Sequence, residues 1–351
     1  MRRTVFILML IAAMVAASCE RRPLMDLSTT HYVRVYVDEE LLNVTTGFYD
    51  EQNQRPFYKS PDILRIILAD PQTGDAMAER FLRNKGVDEN GSYYDGYIVA
   101  SPGQYCLLAY NFDTEMTMVQ DMNNHFKAKA YTNEIAPHLK TRIPSRTPDN
   151  SESIVYDPDH IFSASCGEVM VPYVDYVDTL KTADGGWFRA ESIVKSYYLQ
   201  VRVKGLEFAS SSVGLMTGMA GSAWLNGAGM DHANPVTVYF EMLPGATPAA
   251  GVMRNQADGV STIYTTFSTF GKLPHEDNEL EITFDFLTIY GEPYSESIDL
   301  TPVFATREAV ENQWLLLDHT IVIPEPPDLS DDGGFKPDLE DWKDEETDVI
   351  L

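Results

Sequence analysis

The chain has 351 residues and a formal net charge of −27, which becomes −29 once Arg2 and Arg3 leave with the N-terminal segment discussed below. A surface this acidic excludes nucleic acid and anionic headgroups as direct partners, and it suits a solvated protein outside the cell. A chain of this length usually exceeds one hydrophobic core, so two domains are expected.

In chain order, Arg2 and Arg3 precede the apolar run from Val5 to Ala17, and Ala16, Ala17 and Ser18 lead to Cys19. This is the layout of an export signal. The run holds roughly a dozen apolar residues where a spanning helix needs about 20, which disfavours a permanent transmembrane helix. Small residues before Cys19 fit a narrow peptidase pocket, and the thiol is the only strong nucleophile nearby, so the stretch resembles a bacterial lipobox. That resemblance implies removal of residues 1–18, a diacylated Cys19 and an acylated new amino terminus. Three chains at about 0.8 kcal/mol per buried methylene would make such an anchor effectively permanent. The alternative is an ordinary signal peptide ending near a buried cysteine, since most lipoboxes carry Leu where this chain has Ala16. No later apolar run reaches spanning length, so the mature chain is expected to be a soluble body tethered by lipid.

Residues 19–30 read as a lipidated linker, and "HYVRVYV" then sets Val33, Val35 and Val37 on one face of a half-buried strand. "DILRIILADPQTGD" predicts a strand running into a turn, and "AMAERFLRN" a short helix or an irregular excursion. "YYDGYIVASPGQYCLLAYNFD" reads as two strands joined at Ser101, Pro102 and Gly103. After the polar stretch "TRIPSRTPDNSES", the segment "VYDPDHIFSASCGEVMVPYVDYV" supplies the closing strands of a first domain over 31–180. A second domain over 181–324 carries "SIVKSYYLQVRVKGL", "PVTVYFEML", "STIYTTFSTFG", "ELEITFDFLTIY" and "WLLLDHTIVIP". Its alternation is clearest at Leu280, Ile282, Phe284 and Phe286, and "ATREAVENQWLL" has room for one helical turn. Repeated short strands separated by turn residues predict an all-β chain of antiparallel β-sandwiches in tandem rather than a parallel α/β sheet. Residues 325–351 form an acidic C-terminal tail, with eleven carboxylates against Lys336 and Lys343.

Enzyme chemistry is nearly absent from the pattern. There is no HExxH, GxSxG or phosphate-cradling loop, so no catalytic residue, cofactor or metal is assigned. The glycines of "VGLMTGMAGSAWLNGAG" do not lie between a strand and a helix, and they read as a glycine-rich edge or bulged turn. His125, His138 and His160 lie in polar or turn-rich stretches and are expected to be solvated. "DLSDDG" puts Asp328, Ser330, Asp332 and Gly333 at calcium-loop positions. Leu339 takes the place of the bidentate glutamate, so a solvated acidic turn is expected. Cys106 reads as a buried free thiol, and whether it meets Cys166 is left open.

The Cys19 lipobox, "HYVRVYVD", "SPGQYCLLAYNFD", "YYLQVRVKGLEFASSSVGLMTGMAGSAWLNG" and "GGFKPDLEDW" together resemble the fimbrillin-like lipoproteins of Bacteroidetes, in a layout similar to minor-fimbrium anchor subunits. The resemblance covers most of the chain. It implies two transthyretin-like sandwich domains and a role in surface pili or adhesion, with subunits joined by strand exchange. Stalk subunits of such systems are cut after a basic residue and lose their first strand, whereas anchors keep both strand and lipid. Here Arg34 lies inside a strand, Arg55 precedes Pro56, and Lys59 is a poorer site, so retention of the N-terminus is expected. "LEDWKDEETDVIL" is a weak candidate donor, because its charge density makes it a worse strand than "WLLLDHTIVIP".

The expected function is therefore a lipid-anchored pilus anchor or accessory subunit, not an enzyme. Its partners would be the bilayer through Cys19 and other pilus subunits. The alternative is a glycan-binding or nutrient-capture lipoprotein using Trp187, Trp224 or the Tyr93 and Tyr94 pair as stacking platforms. Outer-membrane residence is expected. Arg21, Arg22 and Pro23 replace the acidic run that often follows the cysteine of surface-exported lipoproteins, so both outward and periplasmic orientations fit.

Overall fold

The alternation at Val33, Val35 and Val37 becomes the centre of a sheet, and all three side chains are buried. The structure is a computed structural model, and it describes residues 27–38, 60–140, 143, 152–242, 251–254, 259–273 and 280–325. Its first strands are β1 (Thr29–Val37), β2 (Leu64–Ala69), β3 (Ala76–Leu82), β4 (Asn84–Asp88), β5 (Gly91–Ala100) and β6 (Gly103–Asn111). Next come β7 (Thr117–Gln120), β8 (Lys129–Thr132), β9 (Ser153–Tyr156), β10 (Phe162–Val171), β11 (Asp178–Thr179) and β12 (Phe188–Ser192). The later half supplies β13 (Lys195–Lys204), β14 (Ala209–Ala220), β15 (Ser222–Trp224), β16 (Gly229–Met230) and β17 (Pro235–Glu241). It ends with β18 (Gly251–Arg254), β19 (Val260–Thr269), β20 (Glu281–Thr288), β21 (Pro293–Asp299) and β22 (Trp314–Val322). The chain is all-β, as its strand pattern predicts, and the expected helical turn is the short helix Arg307–Asn312.

The first sheet runs β3-β2-β6-β10-β12-β1-β5-β4, with β11 added beside β1. β3 passes through Arg83 alone into β4, so the two ends of that path are joined by one residue. Leu82 at the end of β3 lies against Gly96 of β5, which closes the sheet around its own core. That core holds Val33, Val35, Leu64, Ile66, Leu68, Tyr94, Leu107, Phe162 and Phe188. β2 is buried on both faces, because Ile67 points the other way into a second cluster.

"AMAERFL" is the strand β3, neither helix nor irregular. Its residues are good helix formers, but pairing with β2 over most of its length overrides that local preference. The buried Arg65 guanidinium reinforces the pairing through Glu79 Oε2 at 2.6 Å, Tyr110 Oη at 2.8 Å and the Met122 carbonyl at 2.7 Å.

The later half is two sheets packed face to face, β18-β19-β13-β22 against β21-β20-β14-β17-β9. Leu199, Val201, Ile263 and Phe267 from one meet Val238, Phe240, Ile282, Phe284 and Phe286 from the other. Aligned sheets filled in this way are a β-sandwich core. The first half of the glycine-rich stretch lies in β14, central between β17 and β20 rather than an edge, and the rest forms β15 and the turn into β16. The bulge expected there occurs between Met216 and Met219, where Gly218 adopts φ 72°, a left-handed conformation that favours glycine.

Two pairings tie the halves together. β8 pairs with β15, and β9 pairs in parallel with β17. Of the segment expected to close the first sheet, only β10 does so. β12, at 188–192, also belongs to that sheet, between β10 and β1. A shared cluster of Ile67, Leu108, Tyr110, Ala130, Ala220, Leu225 and Phe270 lies between the halves.

Candidate functional site

The first strand is the feature on which strand exchange would act. β1 pairs antiparallel with β5 over eight registered positions from Thr29↔Ala100 to Tyr36↔Tyr93. On its other side it pairs in parallel with β11 and β12. Both backbone edges of β1 are therefore used over much of the strand, and Val35 is 0% exposed. Among the described residues β1 is an interior strand of its sheet, paired on its second edge at His31, Tyr32 and Val35 to Val37.

The outward face of β1 carries Tyr32, Arg34 and Tyr36, in register with Tyr97, Asp95 and Tyr93 of β5. The Arg34 guanidinium lies 3.8 Å from the Tyr93 ring centroid and 5.1 Å from that of Trp187, and its Nη1 donates to Asp88 Oδ2 at 2.9 Å. Arg34 is thus inside a paired strand and held on several sides, as its sequence position predicts. Tyr36 donates to the same Asp88 oxygen at 2.7 Å, and Tyr32 donates to Asp95 Oδ2 at 2.7 Å. Gly86 of β4 leaves room for the Tyr93 ring, which would lie 2.4 Å from a Cβ placed there. Lys181 Nζ rests 2.9 Å from the Trp187 centroid, and the Arg189 guanidinium lies 5.2 Å from that of Tyr36.

The aromatics singled out in the sequence separate into different roles. Trp187 and Tyr93 join the Arg34 cluster, whereas Tyr94, adjacent to Tyr93 but on the opposite face of β5, is core. Trp224 stands apart with Lys129 over its ring at 5.1 Å. The cations that complete the cluster, Lys181 and Arg189, carried no signal in the sequence, because nothing local shows that the β11–β12 connection folds beside β1.

Two of the three histidines expected in solvent are not solvated. His125 is buried against Ser165 Oγ at 3.1 Å, because the loop before β8 hydrogen-bonds back onto the β2–β3 turn through His125 N and the Gly74 carbonyl. His160 is half-buried between the halves, with Nδ1 3.1 Å from Ser192 Oγ and Nε2 2.9 Å from Ser196 Oγ. Burial lowers its pKa to about 4. His138 is exposed. Cys106 is a buried free thiol as expected, and Cys166 is also free. Among the described residues, no group of three or more His, Cys, Asp or Glu side chains is placed to hold a metal ion. Cys19, Arg55, Lys59, the "DLSDDG" turn and the acidic tail beyond Glu325 lie outside the described residues.

Near His160, burial and the neighbouring Asp159 push the Asp157 carboxyl up to about 7. A carboxyl raised in the fold keeps its proton there after the unfolded chain has lost it, so its contribution to stability falls between about pH 4 and pH 7. His160 acts oppositely: its lowered pKa makes stability rise from about pH 4 to its ordinary 6.5. Asp157→Asn removes the falling component. Relative to wild type, it is expected to be more stable at pH 8 than at pH 4 by about 4 kcal/mol, measured by urea unfolding at the two pH values.

The fold and the seated first strand define a β-sandwich protein whose sheet is completed by its own N-terminal strand. Comparison with known proteins bears out the fimbrillin-like resemblance read from the sequence. A family model described as a domain of unknown function, DUF5119, matches residues 76–241. A protein of Bacteroides ovatus, named as a candidate fimbrium anchoring subunit, Fim4B, is 23% identical over 240 residues. The match covers 68% of this chain but only 61% of that relative, less than two thirds of its length. The crystal structure of a candidate adhesin from Bacteroides ovatus superposes with a TM-score of 0.54 at 19% identity, covering 88% of this chain and 98% of that one. This shows a shared fold. The fimbrial anchor protein Mfa2 of Porphyromonas gingivalis gives a TM-score of 0.41 at 10% identity, covering 80% and 85% of the two chains, too weak a likeness to argue from.

Proposed function

We propose that the chain is a fimbrillin-type pilus subunit of the anchor or accessory kind, held to the outer membrane through acylated Cys19 and contacting other pilus subunits by strand exchange. The observation that carries this reading is the position of β1, paired on both sides inside the sheet. A stalk subunit that had lost its first strand would need a donor from a neighbour at that position. Here the chain fills the position itself, which suits a subunit that ends a polymer at the membrane. The name of the Bacteroides ovatus relative supports the same role.

On this reading the chain has two sandwich domains in place of the expected 31–180 and 181–324, with β9 joining the later one and β12 the first, and its work is structural rather than catalytic. No helix among the described residues is long and apolar enough to cross a membrane, so attachment would fall to the lipid. Deleting the gene in the native host is expected to move fimbriae from the cell fraction into the medium. The wild-type gene should restore attachment, and Cys19→Ala should not. Full restoration by Cys19→Ala would remove lipid anchoring from the account.

A further inference from the structure

The outer face of β1, β5 and β12 gathers aromatic and charged side chains around Arg34. Tyr32, Tyr36, Tyr93, Tyr97 and Trp187 cluster there with three cations, Arg34, Lys181 and Arg189, and two carboxylates, Asp88 and Asp95. The chain has 53 acidic residues against 26 Lys and Arg, so a surface cation has abundant carboxylates with which to pair. Yet among the described residues Lys181 and Arg189 form no ion pair within 4.0 Å, and both rest against aromatic rings. Arg189 is exposed, and Tyr97 is 54% exposed. Lys181 lies on the half-buried Trp187 and the exposed Arg189 against the buried Tyr36, beside the accessible Tyr97 ring. With Arg34 they stand against Asp88 (whose carboxylate also feels Arg189), Asp95 and Glu191, the last on the outward face of β12, so this aromatic surface is far less acidic than the chain as a whole.

We propose that this face is a binding site for a carboxylated sugar, a uronic-acid oligosaccharide whose carboxylates meet Lys181 and Arg189 and whose rings lie against the aromatic side chains. Each part of such a ligand has a counterpart. Carboxylates complement Lys181 and Arg189, neither of which makes a salt bridge among the described residues. The CH faces of pyranose rings suit tyrosine and tryptophan, which offer apolar area with a polar edge. Asp88 and Asp95 can accept hydrogen bonds from sugar hydroxyls while holding Arg34 and Tyr32 in place. An acidic peptide fits less well, since it brings neither the hydroxyls that Asp88 and Asp95 could accept from nor pyranose rings to lie on the aromatics. This inference is independent of the anchoring role, and either can fail alone.

The test is calorimetric titration of the full mature chain with tri-galacturonic acid, its fully methyl-esterified form and poly-glutamate. The acid is expected to bind at least tenfold more tightly than the ester, and the double variant Lys181→Ala/Arg189→Ala should lose at least tenfold in affinity with an unchanged unfolding midpoint. Neither residue makes an ion pair among the described residues, so the variant is expected to fold. The ester comparison on wild-type protein decides the matter without it. Equal binding of acid and ester, or no heat with the acid at millimolar concentration, would overturn the proposal. Poly-glutamate binding as tightly as the acid would overturn it in favour of an acidic peptide.

Discussion

Val35→Asp is expected to abolish the native fold of the first sheet or to lower its stability by more than about 4 kcal/mol. Val35 stands opposite Tyr94 of β5 and Phe188 of β12, inside the core formed by Val33, Leu64, Leu68 and Leu107. An aspartate there would be a charge with no partner in an apolar cluster, and it would either ionise at great cost or stay protonated with an unpaired hydroxyl. Thr30→Asp places the same side chain on the same strand at an exposed position, and it should change stability by no more than about 0.5 kcal/mol. Urea unfolding followed by circular dichroism compares the two. Similar midpoints for both variants would mean that β1 is not the interior strand described above.

Phe267→Ala is expected to cost about 3–5 kcal/mol. The Phe267 ring stacks on Phe240 at 4.6 Å with 12° between the planes, and on Tyr197 at 5.7 Å. Tyr197 in turn meets Phe304 edge-on at 5.2 Å. Phe267 comes from β19 and Phe240 from β17, so this stack joins the two sheets of the later sandwich. Truncation leaves a cavity at the contact that holds the layers together, and flanking rings in two different sheets cannot close over it easily. Phe267→Leu keeps most of the volume and should recover more than half of the loss, read as the shift in urea midpoint. A loss below 1 kcal/mol for the alanine variant would show that the two sheets do not depend on the stack.

What the sequence made legible follows the range of the interactions involved. Period-two alternation reports burial on one face of a strand, which is why β1, β13, β19, β20 and β22 were readable at Val33, Tyr197, Phe267, Phe284 and Leu315. Partner choice is set at long range and leaves no local trace. β9 follows the polar stretch that ends at Ser153, yet its partner is β17, some 80 residues later. β3 reads locally as helix, and its strand state comes from β2 and the buried Arg65. The same blindness affected the candidate site. Tyr93 and Trp187 were visible as aromatics, but their meeting around Arg34 depends on β5 and β12 flanking β1. His125 and His160 looked solvated because their neighbours in sequence are polar, whereas their surroundings come from Ser165, Ser192 and Ser196.

The central claim is that the first strand stays with the protein. Intact-mass measurement with N-terminal peptide mapping, on protein taken from membranes of the native host, tests it most directly. The account predicts an acylated Cys19 still joined to the peptides containing Arg34 and Arg55. A mature N-terminus beginning after Arg55 or Lys59, without lipid, would contradict it and indicate a processed subunit that polymerises.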